Sequence, residues 1–238
     1  MDPNYEQQYL KTEEKHPWFI YRRKLVYNLI KTIPKNARIL DYGSGSGIFL
    51  KLLKQKGFIN VIGYEPSRKM REKYKDIKIV KNKNKISGKY DIILLLDVIE
   101  HIKNDELFIS GISKLLNQKG NLIITVPASN ILWSSHDVLN KHYRRYNKKS
   151  LKKAFKKSEL QILRLSYWNF FFFLPIAFIK ILKRKSKSQN SDINFMPWPA
   201  SQIYKKLLKL ENFLIMKGID FPIGINLFCV LEKRTKLK

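Results

Sequence analysis

Two carboxylates and a run of glycines are the residues of this chain whose types and spacing point most directly to chemistry. Asp41 leads the turn Tyr42-Gly43-Ser44-Gly45-Ser46-Gly47, and Glu65 follows roughly 20 residues on. A glycine turn between a strand and a helix lets the backbone pass close to a nucleotide-like ligand. Dinucleotide folds space their glycines G-x-G-x-x-G and set a pyrophosphate on the helix N-terminus. Here the spacing is D-x-G-x-G-x-G. An acid at its head repels a pyrophosphate and suits a cationic ligand. Glu65, directly after a second strand-like run, can accept two hydrogen bonds from ribose hydroxyls.

Two other clusters hold titratable groups. One is Asp97-Val98-Ile99-Glu100-His101. Hard acids and an imidazole suit Mg²⁺ or Zn²⁺, so Asp97, Glu100 and His101 form one conceivable metal group. The simpler reading has His101 start a helix and pack over a ligand. A single short cluster rarely completes a metal shell, so no metal is assigned. The other is Trp133-Ser134-Ser135-His136-Asp137, followed by His142-Tyr143-Arg144-Arg145-Tyr146. A histidine that titrates near neutrality can take a proton from a hydroxyl. His136, oriented by Asp137, and His142 are both candidates for that base. Arg144 and Arg145 suit an anionic substrate group. Alternatively, the tryptophan, histidines and tyrosines of this loop only close a lid.

These groups need a scaffold, and the chain alternates strand and helix patterns to provide one. Residues 5–32 carry helix formers with apolar spacing, closed by Pro34. Strand patterns fall at 38–40, 60–64, 77–80, 90–96, 121–126, 160–165 and 225–232. The run Tyr90 to Leu96 is almost wholly apolar, as in a strand covered on both faces of a parallel sheet. Helices are predicted over 48–56, from Pro66-Ser67 to about Lys75, over 105–116 with Gly120 marking the end, and over 150–157 with Ser150 as cap. The order implies a doubly wound α/β sheet, with the ligand at the carboxyl ends of the first strands. One domain is expected: a helical cap at 1–34, a core at 35–166, a hydrophobic and basic helical insert at 167–224, and a last strand and tail at 225–238.

The run from Asp41 to Gly47, with its flanking strand and helix and Glu65, resembles the first motif of class I S-adenosylmethionine (SAM) methyltransferases. Asp97 to His101 is similar to that family's fourth motif, and Glu100-His101 is common in the branch that includes quinone-precursor O-methyltransferases. The resemblance implies a Rossmann-like seven-stranded sheet with an antiparallel last strand. It places Asp41, Gly43, Ser44, Gly45, Gly47, Glu65, Pro66, Asp97, Val98 and His101 around SAM, the product being S-adenosylhomocysteine. Many relatives hold the adenine amino group with an acid or its amide after the third strand, where this chain has Asn82. His16-Pro17-Trp18-Phe19-Ile20-Tyr21-Arg22-Arg23 is similar to the N-terminal segment of a bacterial branch of the family. That likeness implies acceptor contacts from Trp18, Arg22, Trp133, Tyr143, Arg144 and Arg145, and puts His136, Asp137 and His142 beside the methyl group.

The formal charge is +28, from 47 basic and 19 acidic residues. That balance attracts nucleic acid or an anionic membrane. The lysines are not confined to one block, and part of the excess reads as solvated surface. The stretch Trp168 to Leu182 is shorter than the roughly 20 residues a spanning helix needs. Its aromatic and apolar face runs into Lys183, Arg184, Lys185 and Lys187, which fits either peripheral membrane contact through 168–187 or a hydrophobic lid. Cys229 alone permits no intramolecular disulfide, and the polar N-terminus lacks a secretory pattern. The expectation is a cytoplasmic SAM-dependent methyltransferase, peripheral at the inner membrane face if the insert contacts lipid, acting at oxygen on a small or lipid-linked acceptor. The rival readings are an RNA methyltransferase and a non-catalytic SAM-fold scaffold. Against the first, no separate RNA-binding module and no Asn/Asp-Pro-Pro-Tyr/Phe motif is present.

Overall fold

The computed structural model describes residues 3–183 and 198–235. Seven strands form one sheet: β1 (Arg38–Tyr42), β2 (Asn60–Tyr64), β3 (Ile79–Val80), β4 (Tyr90–Leu96), β5 (Leu116–Pro127), β6 (Leu160–Trp168) and β7 (Asn226–Lys233). Their spatial order is β3-β2-β1-β4-β5-β7-β6. The neighbours from β3 to β5 run parallel, and β7 is antiparallel to both β5 and β6. The chain leaves β1 toward one edge and returns to β4 on the other side, so the order reverses between β1 and β4. Open α/β sheets bind ligands outside the carboxyl ends of the strands at such a reversal. The doubly wound sheet and its antiparallel last strand are those expected.

Nine helices are described: α1 (Pro3–Thr12), α2 (Pro17–Ile30), α3 (Ile48–Gln55), α4 (Arg68–Arg71), α5 (Asp105–Ser113), α6 (Ser135–Leu139), α7 (Lys148–Ala154), α8 (Phe173–Lys183) and α9 (Trp198–Met216). The apolar β4 is buried along its length, as a central parallel strand must be. Helices α5 and α7 cover one face through Ile109, Ile112, Leu151 and Ala154. On the other, α2 and α3 contribute Val26, Ile30, Phe49, Leu50 and Leu53. A third cluster joins α2 to α9 and the far strands through Leu25, Trp168, Tyr204, Leu208 and Phe228.

Several boundaries differ from the sequence pattern, each for a local reason. The N-terminal helix is two helices, because His16 caps α2 ahead of Pro17, its side chain accepting from the Trp18 N–H. The helix after β2 is one turn only, capped by Ser67. Ser150 is not the cap of α7. Asn147 is, and Ser150 closes the capping box from the third position. Gly120 ends no helix but lies inside β5, which begins at Leu116. The first part of the aromatic run packs inward: Trp168 is fully buried and donates from Nε1 to Asn212, and Phe170 stacks on Phe221. Only from Leu174 onward does it show exposed apolar residues. Arg184, Lys185 and Lys187, with the rest of 184–197, lie outside the described residues.

Candidate active site

A cavity of about 770 Å³ opens at the carboxyl ends of β1, β2 and β4. That is within the roughly 300–1,000 Å³ typical of small-molecule sites. Its floor is the glycine turn. Gly43 has φ +82°, and a Cβ there would lie 2.6 Å from Cγ2 of Val98. Gly47, with φ +83°, precedes the first residue of α3, and its Cβ would lie 2.6 Å from Cδ1 of Ile79. Both the left-handed backbone and the closeness exclude other residues. The turn is held by the N–H groups of Gly43 and Ser44, which donate to Tyr64 O at 2.8 and 3.0 Å.

Asp41 is buried beneath this turn with no partner for Oδ1. Burial pushes its carboxyl up to about 7, against the pull of Arg22. Glu65 lines the cavity, and its two carboxylate oxygens accept from the N–H groups of Gly45 (3.0 Å) and Ser67 (2.9 Å). Burial raises its pKa and those two bonds oppose the rise. Tyr42 and Tyr64, at the ends of β1 and β2, meet with ring centres 4.5 Å apart and line the same wall. Helix α1 covers this side. Tyr9 lies against Gly45, and Lys73 ties the end of the helix down through Leu10 O and Glu13.

At the end of β4, Asp97 has φ +58° and pairs with Arg22, whose guanidinium lies 4.7 Å over the Trp18 ring. Trp18 donates from Nε1 to Asn226 Oδ1 at 3.0 Å. Asp97 is therefore tied to Arg22 and does not join Glu100 and His101 as the alternative metal reading would need. Instead Glu100 and His101 meet His142, with ligand atoms all within 4.8 Å of one another. A carboxylate and two imidazoles are zinc or iron donor types. Glu100 is fully buried with both oxygens unpartnered, and burial pushes its carboxyl up to about 8. His101 is held down at about 4, by burial and by the facing His142. It is neutral at physiological pH.

Asp137 is the hub of the loop after β5. Oδ1 lies 2.8 Å from His142 Nδ1, and Arg145 donates to both carboxylate oxygens at 2.9 and 3.0 Å. The Ser134 N–H adds a fourth bond at 2.9 Å. Burial alone would raise this carboxyl, but His142, Arg145 and Ser134 outweigh it and hold it below the usual carboxylate range. Asp137 thus orients His142, and the expectation that it orients His136 is corrected. Both histidines line the cavity.

Of the other expected residues, Pro66, Val98, Trp18, Arg22 and Arg145 line the cavity, with Ser44 and Gly47 behind the turn. Arg145 is buried and committed to Asp137 and to Ala128 O, so it braces the loop rather than offering a free cation. Asp41, Ser44, Gly47 and Asp137 sit behind the lining, and four further expectations lie away from it. Asn82 caps a short 3-10 turn through Asn84. Arg144 turns toward α5, pairing with Asp105 and Lys103 O. Tyr143 and Trp133 are on the outer surface. Phe172 and Ile176, from the aromatic stretch read as a lid or a membrane contact, line the cavity, as do residues that the sequence did not single out: Tyr9 from α1, Asn140 after α6, Tyr204 of α9 and Asn226 of β7. Only their spatial convergence marks them.

The sheet order, the acid-led glycine turn and the acid directly after β2 are those of the SAM-dependent methyltransferase class. The family described as "Methyltransferase domain" matches residues 17–165, well over half of the chain, and the chain belongs to it. SAM is the cofactor of this class. The chain is 32% identical over 102 residues to the ubiquinone biosynthesis O-methyltransferase of Pelagibacter ubique, a match spanning 38% of this chain and 42% of that protein. A SAM-dependent methyltransferase from Archaeoglobus fulgidus superposes with a TM-score of 0.61 at 17% identity, over 94% of this chain and 99% of that one. Magnesium protoporphyrin IX methyltransferase from Synechocystis, solved with bound SAM, gives a TM-score of 0.50 at 18% identity over 70% and 78%. These two likenesses bear on the fold alone.

Proposed function

We propose that this protein transfers the methyl group of SAM to a hydroxyl oxygen on a small or lipid-linked acceptor. The observation that carries the reading is the Asp137–His142 pair opening onto the cavity that the glycine turn and Glu65 floor. The residues fit the cofactor. Asp41 is a buried carboxyl with an orphan oxygen, a partner for a cation, and Glu65 is the acid for ribose hydroxyls. When bound, SAM supplies an electrophilic methyl on a cationic sulfur.

The acceptor hydroxyl must lose a proton, and His142 is the group for it. With Asp137 ionised, His142 Nδ1 carries the proton donated to Oδ1, and Nε2 is left as the basic nitrogen. Neutral His101, with its ring centre 4.6 Å away, brings no positive charge of its own to this side of the cavity. Trp18, Phe172, Ile176 and Tyr204 provide an apolar wall that excludes water and favours an acceptor with an apolar body. The relative from Pelagibacter, matched over 102 residues and by its name an O-methyltransferase, supports oxygen as the methylated atom.

The test is transfer of labelled methyl from SAM into fractionated cell extract. Label in a hydroxyl-bearing small molecule or a lipid extract, lost with His142→Ala, is the expected result. Label recovered only in RNA would sink the reading.

A further inference from the structure

Helix α9 has two apolar faces, and only one is used by the fold. Tyr204, Leu208, Asn212 and Ile215 are buried against α2 and the far strands. On the opposite side, Ile203, Leu210, Phe213 and Met216 are exposed by 58, 45, 56 and 37%. Exposed Lys206, Lys209 and Lys217 lie between and beside them. At 100° per residue these positions fill one contiguous arc of roughly 140°. The arc contains no acid. The sole acid of α9, Glu211, is fully buried on the inner side, where both of its oxygens accept from the Phe170 N–H. Lys217 Nζ is 5.7 Å from the centre of the Phe213 ring, its stem laid along the apolar surface.

We infer that this face docks the protein on the surface of an anionic lipid bilayer. Apolar and aromatic residues interleaved with lysines, without acids, are the pattern of a helix lying in a membrane interface. Charge decides against a second copy of the chain. A symmetric pairing would bring each set of three lysines against its twin, in a protein of charge +28. No described helix is long and apolar enough to cross a membrane, so the contact is peripheral. The cavity supports the same orientation. Tyr204 on the inner face of α9 meets Phe172 with ring centres 4.5 Å apart, and both line it. Ile179 of α8 lines it too while remaining 47% exposed, next to exposed Phe178. The inference deepens the proposal of a lipid-linked acceptor, but its test needs no turnover.

Flotation with vesicles of phosphatidylcholine, with and without phosphatidylglycerol, measures the docking. The double variant Leu210→Ser/Phe213→Ser keeps every charge, so it separates docking by this face from general attraction of a basic protein. Expected are binding to the phosphatidylglycerol vesicles, about tenfold or more weaker binding by the variant, and partial retention of wild-type binding at about 0.5 M salt. The variant's thermal melt and its affinity for S-adenosylhomocysteine should match the wild type, which shows the fold and cofactor site intact. Equal vesicle binding by wild type and variant overturns the inference. So does absence of binding, or a wild-type dimer in sedimentation that the variant dissolves. Should the vesicles bind while S-adenosylhomocysteine does not, the docking surface stands and the enzymatic reading fails.

Discussion

His142 Nδ1 lies 2.8 Å from Oδ1 of Asp137, a carboxylate with no exposed surface that is also gripped by Arg145. The pairing fixes which ring nitrogen of His142 is free to accept a proton. Replacing His142 by Ala should lower kcat by about 10²–10⁴, the usual worth of a positioned general base. Affinity for S-adenosylhomocysteine should hold within about twofold, since His142 is not among the groups assigned to the cofactor. His136→Ala should affect kcat far less. Single-turnover kinetics beside calorimetry decide, and a His142→Ala enzyme with unchanged kcat would remove the base assignment.

Arg145 should behave as a brace. Arg145→Met strands the buried charge of Asp137, so a loss of about 3–5 kcal/mol is expected. Urea denaturation measures it. A variant that folds as stably as the wild type but binds acceptor poorly would return Arg145 to a substrate role.

The glycine turn tolerates no Cβ at Gly43. Gly43→Ala should cost about 1–2 kcal/mol for the left-handed backbone alone, with the Val98 clash added. It should also weaken cofactor binding, because the turn must shift to admit the methyl group. Thermal melts with and without S-adenosylhomocysteine read both effects. A normal ligand-induced rise in Tm would show that the turn is not the cofactor floor.

Buried acids set the pH dependence. The carboxyls of Asp41 and Glu100 are pushed up to about 7 and about 8, from ordinary values of 3.8 and 4.5. Each binds its proton more tightly folded than unfolded. Its stabilising contribution is therefore full below the unfolded value and lost as pH rises through the folded one. Tm of the ligand-free protein should fall between pH 5 and pH 9, roughly the window these shifts define. Glu100→Gln should flatten the upper half of that slope. A Tm that rises steadily across the window would contradict the burial of these carboxyls. Cofactor affinity should move the other way, rising with pH as Asp41 ionises to meet a cation.

How much of this was legible in sequence depended on whether the signal was local. The acid-led glycine turn was, because its spacing encodes a backbone shape, and the apolar run of β4 was, because burial on both faces needs it. The orientation of His142 was not. Asp137 is the immediate neighbour of His136, yet the one-turn helix α6 ends at Leu139, and the loop beyond returns His142 to the carboxylate. Arg144 and Arg145 are adjacent and alike in type, but one turns to Asp105 and the other to Asp137. Asn82 was drawn into a local cap, the common fate of a short amide side chain before a turn. Tyr204 and Asn226 reach the cavity from elements far along the chain, which no spacing rule anticipates.

The position of β7 between β5 and β6 bears on biosynthesis. A ribosome delivers β6 well before it delivers β7, so β6 has no neighbour to join until the strand that separates it from β5 has emerged. Trp18, made some two hundred residues ahead of Asn226, likewise waits for its Oδ1 to accept the indole N–H. The nascent chain therefore cannot complete this half of the molecule piecemeal. Its far edge and its cavity close together, in a step that couples segments far apart along the chain.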